Sequence, residues 1–255
     1  MTQVKTMARV GKTLLVSAIG LFALANTTHA LTVTEPKAVV ELFTSQGCHS
    51  CPPADKVLGD FSKSEEILGL GWHVDYWDYL GWKDSFASRD NTNRQYAYSV
   101  TLNERQVYTP QAVINGRTHA VGSYKDRILD VISGFNSQGK GLSSQISVTS
   151  KGEGLNIVVP AGAVEENVTL FMVSYSPEER VKINHGENAG KFLTYHNVVH
   201  NSQVLGLVKP TGFNMDFPIG EITKYGQDGC ALILQRMDSN GNPGPILGAV
   251  ILSDL

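Results

Sequence analysis

The chain has 255 residues, with 21 Lys and Arg against 24 Asp and Glu, for a net charge of −3 with histidine neutral. No Lys/Arg cluster interrupts this balance, so nothing in the charge points to a nucleic-acid partner. Three cysteines are too few for an exported scaffold stapled by disulfides.

The first thirty residues carry a secretory pattern. Lys5, Arg9 and Lys12 form a basic start without an acid, and Leu14 to Ala25 is an apolar core too short to span a membrane comfortably. Thr28-His29-Ala30 fits a small-x-small cleavage site. The expectation is a signal peptide over residues 1–30, the alternative being an uncleaved anchor. The mature chain would start at residue 31, in the periplasm or outside the cell, with no membrane span.

Ala38 to Asp55, AVVELFTSQGCHSCPPAD, is the most informative stretch. An apolar β-rich run, Ala38 to Phe43, enters a polar turn, and Cys48 and Cys51 follow at C-x-x-C spacing. Ala54, Val57, Leu58 and Phe61 then fall at i, i+3, i+4 and i+7, which predicts a helix. A helix N-terminus carries a partial positive charge and unpaired N–H groups. Sulfur placed there loses its proton more readily, and the thiolate is the reactive form. A disulfide between these cysteines closes a loop of only four residues. Chain entropy rewards long loops, about 3 kcal/mol for fifteen residues, so this one adds little stability. Redox exchange is the favoured reading; half of a metal site or two inert thiols are the alternatives.

A second strand is expected at Trp72 to Tyr76 and a helix across Phe86 to Leu102. His73, Asp75, Asp78 and Asp84 lack any recognised metal spacing and are read as polar strand ends and loop residues. Strands at Gln111 to Ile114 and Thr118 to Val121 flank an Asn115-Gly116 turn. Ser123 precedes a helix from Tyr124 to Ile132. Gly134 to Gly141 is Gly- and Ser-rich and reads as a linker. Beyond it, strands are expected at Gln145 to Val148, Leu155 to Val159, Val168 to Tyr175, Thr194 to Leu207, Ala231 to Gln235 and Leu247 to Leu252. His196 and His200 share a strand face and are read as surface residues, with a metal site the alternative. Cys230 opens an apolar strand and is read as buried and inert.

The C-x-x-C after the first strand and the Thr109-Pro110 step before the third resemble the thioredoxin superfamily. Four longer motifs, ELFTSQGCHSCPPAD, HVDYWDYLGWKD, VYTPQAVING and GENAGKFLTYHNVVH, resemble the exported bacterial family called domain of unknown function 1223. The resemblance implies an α/β thioredoxin-like domain over 31–136, followed by a mostly antiparallel, sandwich-like β-rich domain over 143–255. It implies a cis Thr109–Pro110 peptide beside the dithiol. Cys48 would be the nucleophile and Cys51 the resolving thiol. His49 would either stabilise the Cys48 thiolate or sit in the turn as an exposed residue. Glu41 would either relay a proton to Cys51 or pair with a base at the strand edge. The expected activity is thiol–disulfide exchange with protein thiols or disulfides, without a cofactor. A Cu(I) carrier using Cys48, Cys51 and His49 or His73, and a non-catalytic docking module, are the rival readings. Direction of exchange, oligomeric state and any role for the Gly186–Gly190 loop are left open.

Overall fold

The computed structural model describes residues 1–2, 31–223 and 228–254. The expected signal segment, apart from Met1 and Thr2, lies outside the described residues. In chain order the elements are β1 (Thr32–Thr34), β2 (Ala38–Thr44), α1 (Pro52–Ser62), β3 (Ile67–His73), α2 (Arg89–Thr101), β4 (Gln111–Ile114), β5 (Thr118–Val121), α3 (Lys125–Ser137), β6 (Ser147–Lys151), β7 (Gly154–Val159), β8 (Val168–Lys182), β9 (Phe192–Val208), β10 (Phe213–Pro218), α4 (Ile219–Thr223), β11 (Gly229–Met237) and β12 (Pro243–Ser253).

Strand β2 is buried at every position, as expected of a strand covered on both faces. Strand β3 starts earlier than the sequence suggested. Gly69 and Gly71 weaken its strand pattern, and both are bare because of what lies against them. A Cβ on Gly69 would stand 2.8 Å from Leu58 of α1, and one on Gly71 would stand 3.2 Å from the His196 carbonyl of β9. The glycines let helix and strand approach closely.

Nine strands form one sheet in the order β1-β12-β11-β8-β9-β3-β2-β4-β5. Strand β3 lies between β2 and β9 and is parallel to both. This overturns the expected fold class. No thioredoxin-like α/β domain stands apart from a following β-rich domain. The chain is mostly strand, and its two halves share one mixed sheet. The residues read as a linker do not separate anything. Helix α3 runs to Ser137, and the N–H groups of Ser143 and Ser144 already donate to Leu247 of β12 at 2.7 and 2.8 Å.

The core follows the sheet. One apolar cluster joins Val39, Phe43, Leu70 and Trp72 to Phe171, Val173, Ile233 and Ile246 across the expected boundary. A second packs α1 and α3 on β2 and β4. A third lies under the small sheet β10-β7-β6. The Asn115-Gly116 turn has positive φ at both residues, 49° and 61°, as a tight two-residue hairpin requires. It docks on β12, where the Ile246 N–H donates to the Asn115 carbonyl at 2.9 Å.

Residues 31–255 are expected to unfold in urea as one transition by circular dichroism and fluorescence, and the fragment 31–140 to show no cooperative transition. Two separate transitions in the longer chain would reinstate independent domains.

Candidate functional site

Strand β2 delivers the chain into a turn held from several sides. The Gln46 N–H donates to Asp84 Oδ2 at 2.8 Å, and the Trp82 indole N–H donates to Gln46 Oε1 at 2.8 Å. The Cys48 N–H donates back to the Ser45 carbonyl at 3.1 Å. Cys48 and Cys51 are joined as a disulfide, with Cα atoms 5.4 Å apart. Cys51 is the N-cap of α1, with proline in the first turn. Pro52 and Pro53 have no N–H to give, and the N–H groups of Ala54 and Asp55 both go to the Cys51 carbonyl. The helix therefore offers the sulfurs its field but none of these N–H groups.

Both cysteines are buried, at 1 % exposure for Cys48 and 0 % for Cys51. His49 and Ser50 between them are exposed, and Ser50 Oγ lies 3.6 Å from Cys48 Sγ. Much of the turn's fixing comes from far along the chain. The buried Asn188 amide donates to the carbonyls of Gln46 at 3.0 Å and Cys48 at 2.9 Å. Lys191 holds the other end of that amide at 2.8 Å. The loop bends through Gly186 and Gly190, both at positive φ. Gly186 also lies against Trp82, where a Cβ would come within 3.2 Å of the indole's own Cβ. This is the loop for which sequence offered no role.

The Thr109–Pro110 peptide is cis. Trp77 ties it to the dithiol turn. Its indole donates to Thr109 Oγ1 at 2.8 Å, while its Cβ lies 3.2 Å from where a Cβ on Gly47 would be. A Cβ on Gly122 would meet both Ala54 of α1 and Pro110, so the proline also neighbours the helix start.

Glu41 lies elsewhere. It belongs to a buried knot with α2 and β11, away from the α1 face of the sheet. Arg94 Nε donates to Glu41 Oε1 at 2.7 Å and its Nη2 to Gln235 at 2.8 Å, and the Tyr98 hydroxyl donates to Glu41. On the α1 face the buried acid is Asp55, one turn after Cys51. Its Oδ1 accepts from Thr44 Oγ1 at 2.7 Å, and its Oδ2 has no hydrogen-bond partner among the described residues. Burial pushes this carboxyl up to about 7, only partly offset by the Thr44 hydrogen bond. Beside it His73 Nδ1 meets Asp84 Oδ2 at 2.8 Å, both side chains buried. Burial opposes a charged His73, but Asp84 more than offsets this and the ring's pKa is raised. The same pairing holds Asp84 below the usual carboxylate value despite its burial.

The remaining polar residues of this region serve local structure. Asp75 pairs with Arg89 and accepts from Thr92, and Asp78 accepts from the Asp84 N–H. Among the described residues no group of three or more His, Cys, Asp or Glu side chains is placed to hold a metal ion. His73, the buried ligand of the copper reading, already pairs with Asp84. His196 and His200 line different clefts. Cys230 sits in the core under the small sheet, and burial pushes its thiol up to about 12.

Residues 39–235 match the family described as protein of unknown function DUF1223. The chain belongs to the DUF1223 family. A crystal structure of an Agrobacterium tumefaciens protein is similar to this DUF1223 chain at 38 % identity, covering 86 % of this chain and 95 % of that one, with a TM-score of 0.78. HBP35 of Porphyromonas gingivalis shares the fold at 13 % identity and a TM-score of 0.56, over 85 % of this chain and 74 % of its own. No curated protein matches.

Asn188→Ala is expected to raise the rate at which dithiothreitol reduces Cys48–Cys51 at least tenfold, read by mass after alkylation; an unchanged rate would show that Asn188 does not control access. Asp55 sets a second expectation. Between pH 4 and 7 the folded chain keeps a proton that the unfolded chain has released, so stability falls as pH rises. A shift of about three units is at most about 4 kcal/mol. Asp55→Asn should match the native protein at pH 4 and exceed its stability by about 2–4 kcal/mol at pH 8 in urea titrations.

Proposed function

We propose that this protein is an exported thiol–disulfide oxidoreductase working through Cys48 and Cys51. The observation that carries the reading is a disulfide closed across four residues at the start of a helix, where a loop so short stabilises the fold little. Export rests on the N-terminal pattern of Lys5, Arg9, Lys12 and the apolar run after them.

In one direction a partner thiolate attacks Cys48 Sγ. The Cys48–Cys51 bond breaks, and Cys51 leaves with the electron pair. In the other, the Cys48 thiolate attacks a partner disulfide, a mixed disulfide forms, and Cys51 displaces the partner sulfur. Cys48 is assigned the outer role because exposed His49 and Ser50 follow it, whereas Cys51 is tucked under the helix. His49 is the side chain in the turn free to approach an arriving sulfur. Thr109 and Pro110, held beside the turn by Trp77, present the backbone along which an extended partner segment would lie. Cys48 is only 1 % exposed, so attack on its sulfur requires the turn to open, and the Asn188 hydrogen bonds to the Gln46 and Cys48 carbonyls are the contacts that hold it. The partner class is protein thiols or disulfides.

Cys48→Ser and Cys51→Ser are each expected to lower the exchange rate with insulin disulfides or reduced model peptides by at least a hundredfold. A Cys48→Ser protein that exchanges at the native rate would sink the assignment. Equilibration in graded glutathione buffers gives the direction. A potential near about −270 mV marks a reductase and one near about −120 mV an oxidase.

A further inference from the structure

On the face of the sheet that carries Glu41, away from α1, a cleft of about 380 Å³ opens between α2, strands β8 and β9 and the β11–β12 turn. Its size falls at the lower end of ordinary small-molecule sites, about 300–1,000 Å³. Exchange at Cys48 and Cys51 makes no use of it. Two of its lining side chains carry N–H groups that the fold leaves unpaired. Arg94 gives its Nε to Glu41 and its Nη2 to Tyr98 and Gln235. Its Nη1, which carries two further donors, makes no hydrogen bond among the described residues. Trp72 is 2 % exposed, and its indole N–H is buried without an acceptor among the described residues. The guanidinium carbon stands 4.8 Å from the Trp72 ring centre, which brings both side chains within reach of one small ligand. Folded proteins rarely leave buried donors unpaired.

We propose that this cleft binds a small monocarboxylate with an apolar body, the carboxylate accepting from Arg94 Nη1 and the Trp72 indole. The unpaired groups are all donors, so the ligand brings acceptors. A carboxylate brings two oxygens, and a guanidinium holds them with charge-assisted hydrogen bonds. Arg94 is the one Lys or Arg among the lining residues, so the charged end of the ligand lies there. Phe171, Ala97, Met237 and Pro243 line the same cleft and offer the rest of the ligand carbon contacts. Asp90, also lining it, is exposed, and its charge disfavours a second anionic group. His200 adds no competing cation near neutral pH, because partial burial lowers its pKa. Its Nε2 lies 2.8 Å from Ser176 Oγ. The Glu41 knot stays intact in the complex, since Nη1 takes no part in it. Arg94 is already fixed by its other nitrogens, so little side-chain freedom is lost on binding. The inference goes beyond the exchange reading and holds whether or not the dithiol is active.

The test titrates the full chain at pH 7 with acetate, isobutyrate, benzoate and phenylacetate. Binding is read by calorimetry and by the indole N–H resonances of the isotope-labelled protein. The chain has three tryptophans, and the resonance missing in Trp72→Phe identifies residue 72. Benzoate or phenylacetate is expected to bind saturably below about 1 mM and to shift the Trp72 resonance while those of Trp77 and Trp82 stay in place. Trp72→Phe removes one donor and should weaken binding at least threefold. Ala97→Leu fills the cleft without touching the Glu41 knot and should weaken it at least tenfold. The matching amide, benzamide or phenylacetamide, should bind at least tenfold more weakly than its acid. If Trp72→Phe does not fold, as judged by circular dichroism, Ala97→Leu and the amides decide. Failure of all four acids to bind saturably up to about 10 mM overturns the proposal. So does binding that a folded Ala97→Leu leaves unchanged, or an amide or inorganic sulfate that binds as tightly as the acid.

Discussion

The parallel seam between β3 and β9 is the constraint from which the rest follows. It is short, with Gly71 opposite Val198 as its register pair, and it is made possible by glycine. Side chains at residues 69 and 71 would hold α1 and β9 away from β3. Once β9 lies there, the β8–β9 hairpin must reach past the end of β3 towards the dithiol turn. Its connecting loop lands on that turn, and the Asn188 amide donates to the backbone carbonyls of Gln46 and Cys48. The site is therefore built from both ends of the chain, although its sulfurs are four residues apart.

The same sheet divides two buried acids and gives them different chemistry. Glu41 and Thr44 lie on opposite faces of β2, as odd and even positions must. On one face Glu41 meets a guanidinium stacked at 4.8 Å from the Trp72 ring centre and 5.2 Å from that of Tyr98, together with the Tyr98 hydroxyl. Its charge is matched, and the knot ties β2 and α2 to β11. On the other face Asp55 has one hydroxyl and a histidine whose charge is already shared with Asp84. A buried carboxylate so weakly compensated has its pKa raised by burial. Pairing ties the first acid to its neighbours; incomplete pairing leaves burial to raise the pKa of the second.

Much of the local architecture was legible. The spacing of Ala54, Leu58 and Phe61 marked the helix, Gln111 to Ile114 the strand, and Asn115-Gly116 the tight turn, because each depends on backbone preferences and on neighbours a few residues away. Strand β3 begins at Ile67 rather than at Trp72, and its glycines record close packing by a helix and a strand that no local pattern reveals. The resemblance offered Glu41 as either a proton relay or a paired strand residue, and only the sheet shows that it faces away from α1 and pairs with Arg94. Asp55 and Asn188 were both within quoted motifs and both passed over. An acid in the first turn of a helix is ordinary, and an asparagine in a glycine loop is more so.

What the sequence by itself determined is the set of elements and the pair of cysteines, since a strand, a turn and a C-x-x-C followed by a proline-led helix are specified by short-range geometry. What only the tertiary structure decided is that the halves share a sheet, that a distant loop is hydrogen-bonded to the dithiol turn, and on which face of the sheet each buried acid lies. Those outcomes depend on which of several similar apolar strands lies beside β3. That choice is made by the packing of whole faces and leaves no mark at any one position.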